Sequence, residues 1–135
     1  METQVIDPWT WQEQFGFVQA RAVTGAARVV YCSGQTSMDA HGAPLHAGDM
    51  RAQLVQALDN LEMVLEASGS GLADVMRLDV FTTDVEGFFG AMDVLIGRLQ
   101  EAGCRPASTL VGVARLALPP LLVELEATAV AVAPK

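Results

Sequence analysis

Residues 49–84, DMRAQLVQALDNLEMVLEASGSGLADVMRLDVFTTD, change from one hydrophobic period to another, and that change decides the fold. Asp49 is a favourable N-cap residue. After it, Leu54, Leu58, Leu61 and Leu65 recur at i, i+4, i+7 and i+11. This is one stripe of an amphipathic helix, with Gln53, Gln56 and Asp59 off it. Ser68-Gly69-Ser70-Gly71 ends the helix. Over 74–83 the pattern alternates, with Met76, Leu78 and Val80 on one side and Arg77 and Asp79 on the other, as in a strand with one more polar face. Asp84 opens a second helix, in which Phe88, Met92, Leu95 and Leu99 repeat the stripe, and Gly103 closes it.

Upstream of this unit, residues 16–24 (GFVQARAVT) and 28–33 (RVVYCS) read as two strands joined by a turn at 25–27, and 36–49 as a loop rich in Gly, Pro, His and Asp. Downstream, 108–116 and 121–132 read as the last two strands, parted by Pro119-Pro120. The order ββαβαββ predicts an α+β fold with both helices on one face of a mixed sheet. The whole chain, 1–135, forms one domain, with 1–14 as an N-terminal extension. In the last strand Val123, Leu125, Ala127 and Ala129 make one face; Glu124, Glu126, Thr128, Val130 and Val132 make the other. That second face is half apolar and half charged, and it needs a partner.

Composition sharpens this expectation. The chain has 51% hydrophobic and only 18% charged residues, too apolar for disorder. A small domain shows much of its surface to water, so the surplus points to buried interfaces in a homo-oligomer. With 8 Lys and Arg against 16 Asp and Glu, the net charge is −8, which argues against nucleic-acid binding. The N-terminus lacks the basic and apolar regions of a signal peptide, and no apolar run reaches membrane-spanning length. Cys32 and Cys104 form no CxxC pair and read as free thiols in a reducing cytoplasm.

Several stretches resemble segments of one family, in order and at consistent spacing. Residues 15–20 (FGFVQA) resemble its G-P-Y-x-Q-A, and 31–35 (YCSGQ) its V-S-G-Q. Residues 53–65 (QLVQALDNLEMVL) resemble its Q-x-x-x-A-L-x-N-L-x-x-V-L helix, and 80–84 (VFTTD) its V-F-x-x-D. Residues 106–109 (PAST) with 113–116 (VARL) resemble P-A-R-S … V-x-x-L, and 123–127 (VELEA) the terminal I-E-I-E-A. The chain is identified as similar to the Rid (reactive intermediate deaminase, RidA/YjgF) family. The resemblance implies a chorismate-mutase-like subunit and a homotrimer with a central barrel and three clefts between subunits. It also implies hydrolysis of enamines and imines such as 2-aminoacrylate, with no cofactor.

The candidate site follows from these matches. Glu124 stands at the family glutamate that holds a water, and it is the candidate catalytic residue; its alternative is a barrel charge paired with Arg77 or Arg115. Glu126 reads as such a structural pair. The candidate substrate-binding residues are Phe17, Gly34, Arg105, Ser108 and Thr109. Ser108 occupies the position of the family's anchoring Arg, and a hydroxyl offers no charge for a substrate carboxylate. Arg105 either replaces that anchor or caps the end of the second helix. Phe17 stands where the family has Tyr, as cleft wall or core aromatic. Gly34 either permits close approach to a ligand or is an ordinary turn glycine. Asp93 reads as an interface or solvent residue. His41 and His46 are too few for a closed zinc site, so no metal is expected. Cys104 reads as a poor nucleophile, its pKa raised by the helix C-terminus. Ser108 and Thr109 have no nearby His to form a triad. The expected function is a hydrolase of a small enamine or imine, and not of 2-aminoacrylate itself, because Ser108 removes the anchor. The alternative is a non-catalytic trimer that binds a small metabolite. An endoribonuclease is disfavoured by the charge.

Overall fold

A computed structural model describes residues 1–25 and 28–132. The strands are β1 (Glu2–Ile6), β2 (Ala20–Thr24), β3 (Arg28–Tyr31), β4 (Val75–Thr82), β5 (Ala107–Gly112) and β6 (Val123–Ala131); the helices are α1 (Met50–Ala67) and α2 (Val85–Ala102). Both helices begin at the residues the sequence marks. The Asp49 carboxylate accepts from Ala52 N at 3.0 Å and that of Asp84 from Gly87 N at 3.0 Å. Gly103, at φ +69°, ends α2 in the left-handed conformation that glycine adopts without penalty.

The main sheet has the order β3-β6-β4-β5; β4 and β5 are parallel, and the other pairs are antiparallel. Together with the two helices it makes the expected α+β architecture. Leu54, Leu58, Leu61 and Leu65 of α1 are fully buried, with Phe88, Leu95 and Leu99 of α2, against Leu78, Val123, Leu125, Ala127 and Ala129 of the sheet.

Several details differ from the sequence reading; among them, the strand expected over 108–116 ends at Gly112 and the one over 28–33 ends at Tyr31. Residues 2–6, placed in the extension, form a strand that pairs antiparallel with β2. Their burial is slight, so no apolar alternation marks them. The strand expected over 16–24 begins only at Ala20, and its partner is β1; Ala26 and Ala27, in the expected turn, lie outside the described residues. A register shift between Val75 and Arg77 puts Val75 rather than Met76 in the core with Leu78 and Val80. Gln53, off the leucine stripe, is completely buried. Its amide donates to Pro120 O at 2.8 Å and His46 O at 3.2 Å, and it accepts from Leu122 N at 2.8 Å. These bonds fix the Pro-Pro turn that leads into β6.

The sheet face away from the helices carries Val29, Tyr31, Phe81, Val111, Glu124, Glu126 and Thr128, by register. Tyr31 is 82% exposed and Val29 46%. Among the described residues no helix is long and apolar enough to cross a membrane.

Candidate functional site

Strand alternation sorts the candidate residues. Ser108 pairs in register with Leu78 and Leu110 with Val80, so both point to the helix side. Thr109 pairs with Asp79 and points to the open face. There its hydroxyl accepts from Arg77 at 2.7 Å, so Thr109 does not join Ser108 in one cleft.

On the helix side, α2 and the β5 edge enclose a cleft of about 260 Å³. The Trp11–Phe15 turn and the segment after it close one end, because Val18 N bonds to Pro106 O at 3.0 Å and draws the chain along β5. Phe15, Phe17, Phe88 and Phe89 line this cleft, with aliphatic side chains from α2, β4 and β5. Among the described residues, Ser108 is the one polar residue that lines it. Trp11 meets Phe17 edge to face, with centroids 6.0 Å apart. Phe17 is therefore a cleft wall.

Arg105 does not enter this cleft. It borders an adjoining one of about 420 Å³, which shares Phe17 with the first. Its guanidinium sits 3.9 Å from Asp7 Oδ2. Asp7 belongs to a polar latch that the sequence reading missed. Its Oδ1 accepts from Gln19 N at 2.7 Å and from the Gln12 amide at 3.1 Å, and Gln12 Oε1 accepts from Gln19 at 2.7 Å. Gln12 is completely buried, so this latch holds the N-terminal segment against the cleft. A fully buried glutamine has no apolar signature that would reveal it.

Glu124 lies on the open face, in register with Phe81. Cys32 N bonds to Ala127 O at 2.9 Å and Gln35 N to Leu125 O at 2.7 Å, so the strand absorbs one extra residue between them. This irregularity brings Gly34 against Glu124. The Glu124 carboxylate fills the space a Cβ on Gly34 would need, so the glycine makes room for a side chain of its own chain. Burial raises the Glu124 pKa, and the Glu126 charge raises it further.

Within the subunit, neither Arg77 nor Arg115 pairs with Glu124 or Glu126. Arg77 lies 2.9 Å from Asp79 Oδ1, two residues along the same strand face. Arg115 donates to the carbonyls of Leu116 and Ala117 in its own loop. Asp93 is exposed on α2 in the subunit, in a forked pair with Arg51 of α1 at 2.8 and 2.9 Å. Cys104 is buried and its pKa is pushed up to about 12; burial, rather than the helix end, is the cause. His41 and His46 are exposed in the 36–49 loop.

The sequence family described as Endoribonuclease L-PSP matches residues 14–131. A solved Yersinia pestis structure, YyfB of the conserved Rid protein family, superposes with TM-score 0.85 at 36% identity, over 96% of this chain and 98% of that one. The chain belongs to the Rid family. Other Rid relatives include the RutC family protein UK114 of Drosophila melanogaster, 36% identical over 77% of this chain and 73% of that protein. A Dermatophagoides farinae protein named 2-iminobutanoate/2-iminopropanoate deaminase is 34% identical over 64% of this chain and 66% of its own length. The Rid match begins just before Phe15, so β1 precedes it.

Proposed function

We propose that the chain is a hydrolase of a small imine or enamine, which adds water in clefts shared between the subunits of a homotrimer. The observation that carries this reading is the Glu124 carboxylate: half-buried, seated on Gly34, and without an ion-pair partner among the described residues. A carboxylate with a raised pKa suits general base work. It takes a proton from water as the water oxygen bonds to the imine carbon. The nitrogen gains that proton, which gives a carbinolamine; the second water proton then passes from the new hydroxyl to the nitrogen, the C–N bond breaks, ammonia leaves and a carbonyl remains. No cofactor is needed for this balance. The deaminase name of the Dermatophagoides farinae relative supports the same chemistry.

Within one subunit the sheet separates Glu124 from the Ser108 cleft. A shared cleft answers this, because a second copy packed along the β5 edge, where the sheet ends, would set its own Glu124 beside the cleft. The exposed Tyr31 and Val29 on the open face support association. Two buried, unpaired cysteines fit a cytoplasmic setting.

A second reading is a trimer that binds a small metabolite without turnover. It is favoured by the absence of any arginine from the residues lining the Ser108 cleft. Ribonuclease activity, which the family description carries, is opposed by the net charge of −8. The deciding experiment measures ammonia release from 2-aminoacrylate generated in situ and from uncharged imines, with Glu124→Gln as control. Accelerated release that the variant loses supports the hydrolase. No acceleration at micromolar protein leaves the binding trimer. Light scattering reads the assembly, and a monomer would contradict the shared cleft.

A further inference from the structure

We propose that the cleft beneath α2 takes an uncharged aryl group, so that the ligand is a neutral ketone-type or imine-type compound bearing one aromatic ring. This inference rests on the hydrolase reading for its chemistry, but its claim about binding stands separately.

Four phenylalanines line one end-closed cleft, two from the N-terminal segment and two from α2. Rings of this kind hold another ring by edge and face contacts. An apolar cavity of about 150 Å³ admits benzene. The volume here, about 260 Å³, therefore admits one ring with a short tail. Trp11 buttresses Phe17 from outside, and the Asp7–Gln12–Gln19 latch holds that wall in place. The wall thus has a fixed shape.

The polar complement is a single hydroxyl. Ser108 can donate to or accept from one carbonyl oxygen or imine nitrogen. A carboxylate in the same place would be buried without a cation, which is strongly unfavourable. The nearby cations are committed elsewhere. Arg105 faces Asp7, and Arg77 serves Thr109 and Asp79 on the other side of the sheet. Glu13 borders the adjoining cleft and adds a negative charge.

The test uses the full-length protein and three ketones, with binding read by calorimetry and tryptophan fluorescence. Phenylacetone has the ring and no charge, phenylpyruvate the ring and a carboxylate, and acetone neither. Phenylacetone is expected to bind at least about tenfold more tightly than phenylpyruvate, with acetone undetectable at the same concentrations. Ser108→Arg should raise phenylpyruvate affinity by about tenfold or more by restoring a cation. Phe89→Ala, at a half-exposed position that the core does not need, should weaken phenylacetone several-fold. Phenylpyruvate binding equal to or tighter than phenylacetone, or acetone binding as tightly as phenylacetone, would overturn the inference. Phenylacetone binding without ammonia release from any imine would defeat the hydrolase reading alone. Turnover of imines with no preference for a neutral ring would defeat this inference alone.

Discussion

The carboxylate of Glu124 occupies the space in which a side chain on Gly34 would sit. The two residues come from different strands and meet because one extra residue is absorbed between Cys32 and Gln35. Gly34 is not among the glycines with positive φ, so alanine fits its backbone. Gly34→Ala should therefore fold normally while displacing the carboxylate. A shift of about 1 Å at a catalytic group costs on the order of a hundredfold in rate. A loss of ten- to a hundredfold or so in kcat is expected, with an unchanged circular dichroism spectrum; full activity would separate Glu124 from the chemistry.

Burial and then the Glu126 charge raise the Glu124 pKa above the usual glutamate range. A base must be ionised to act, so activity should rise with pH through that raised value. Glu126→Gln removes the like charge and should move this acid limb to lower pH. A limb that stays in place or moves up would contradict the coupling. The same shift bears on stability. A folded-state pKa above the unfolded one contributes stability below the unfolded value, and that contribution is lost as pH rises through the folded value. At neutral pH Glu124→Gln should accordingly melt at or above the native temperature.

Gln53 satisfies three backbone groups inside the protein: the carbonyls of His46 and Pro120 and the amide of Leu122. Gln53→Met keeps the bulk and removes these bonds. Leaving buried donors and acceptors unpaired should cost about 2–4 kcal/mol in urea unfolding. A change below about 0.5 kcal/mol would mean that water replaces the amide there.

Cys104 is 3% exposed with its thiol pushed up to about 12, and burial also raises that of Cys32. The thiolate is the reactive form. A thiol reagent at pH 8 should label the native protein slowly and both cysteines at once after denaturation. Rapid labelling of the native chain would show that the core opens around them.

Helices were legible because each presents an uninterrupted stripe between a capping aspartate and a glycine, signals that are local in the chain. The alternation that assigned Arg77 and Asp79 to one side of a strand also contained their ion pair, two residues apart. β1 was not legible, since a mostly exposed strand has no apolar period. Gln53 and Gln12 were not legible either, because their burial depends on what distant backbone and side-chain groups require. The bulge at Met76 shifts a register by one residue, which composition does not encode. At the site, Glu124 and Gly34 were visible from their motifs, but the partners of Arg105 and Arg115 depended on tertiary placement.

Ser108 and Thr109 are neighbours in β5 that look out on opposite sides of the sheet. One addresses the space where a small molecule would sit, the other the surface through which copies of the chain would meet. Exchange at position 108 would change the ligand cleft directly, and exchange at 109 would reach it only through the assembly. A strand one residue wide between the two tasks lets each diverge by single substitutions. Inserting a residue just before them would swap the two roles at once.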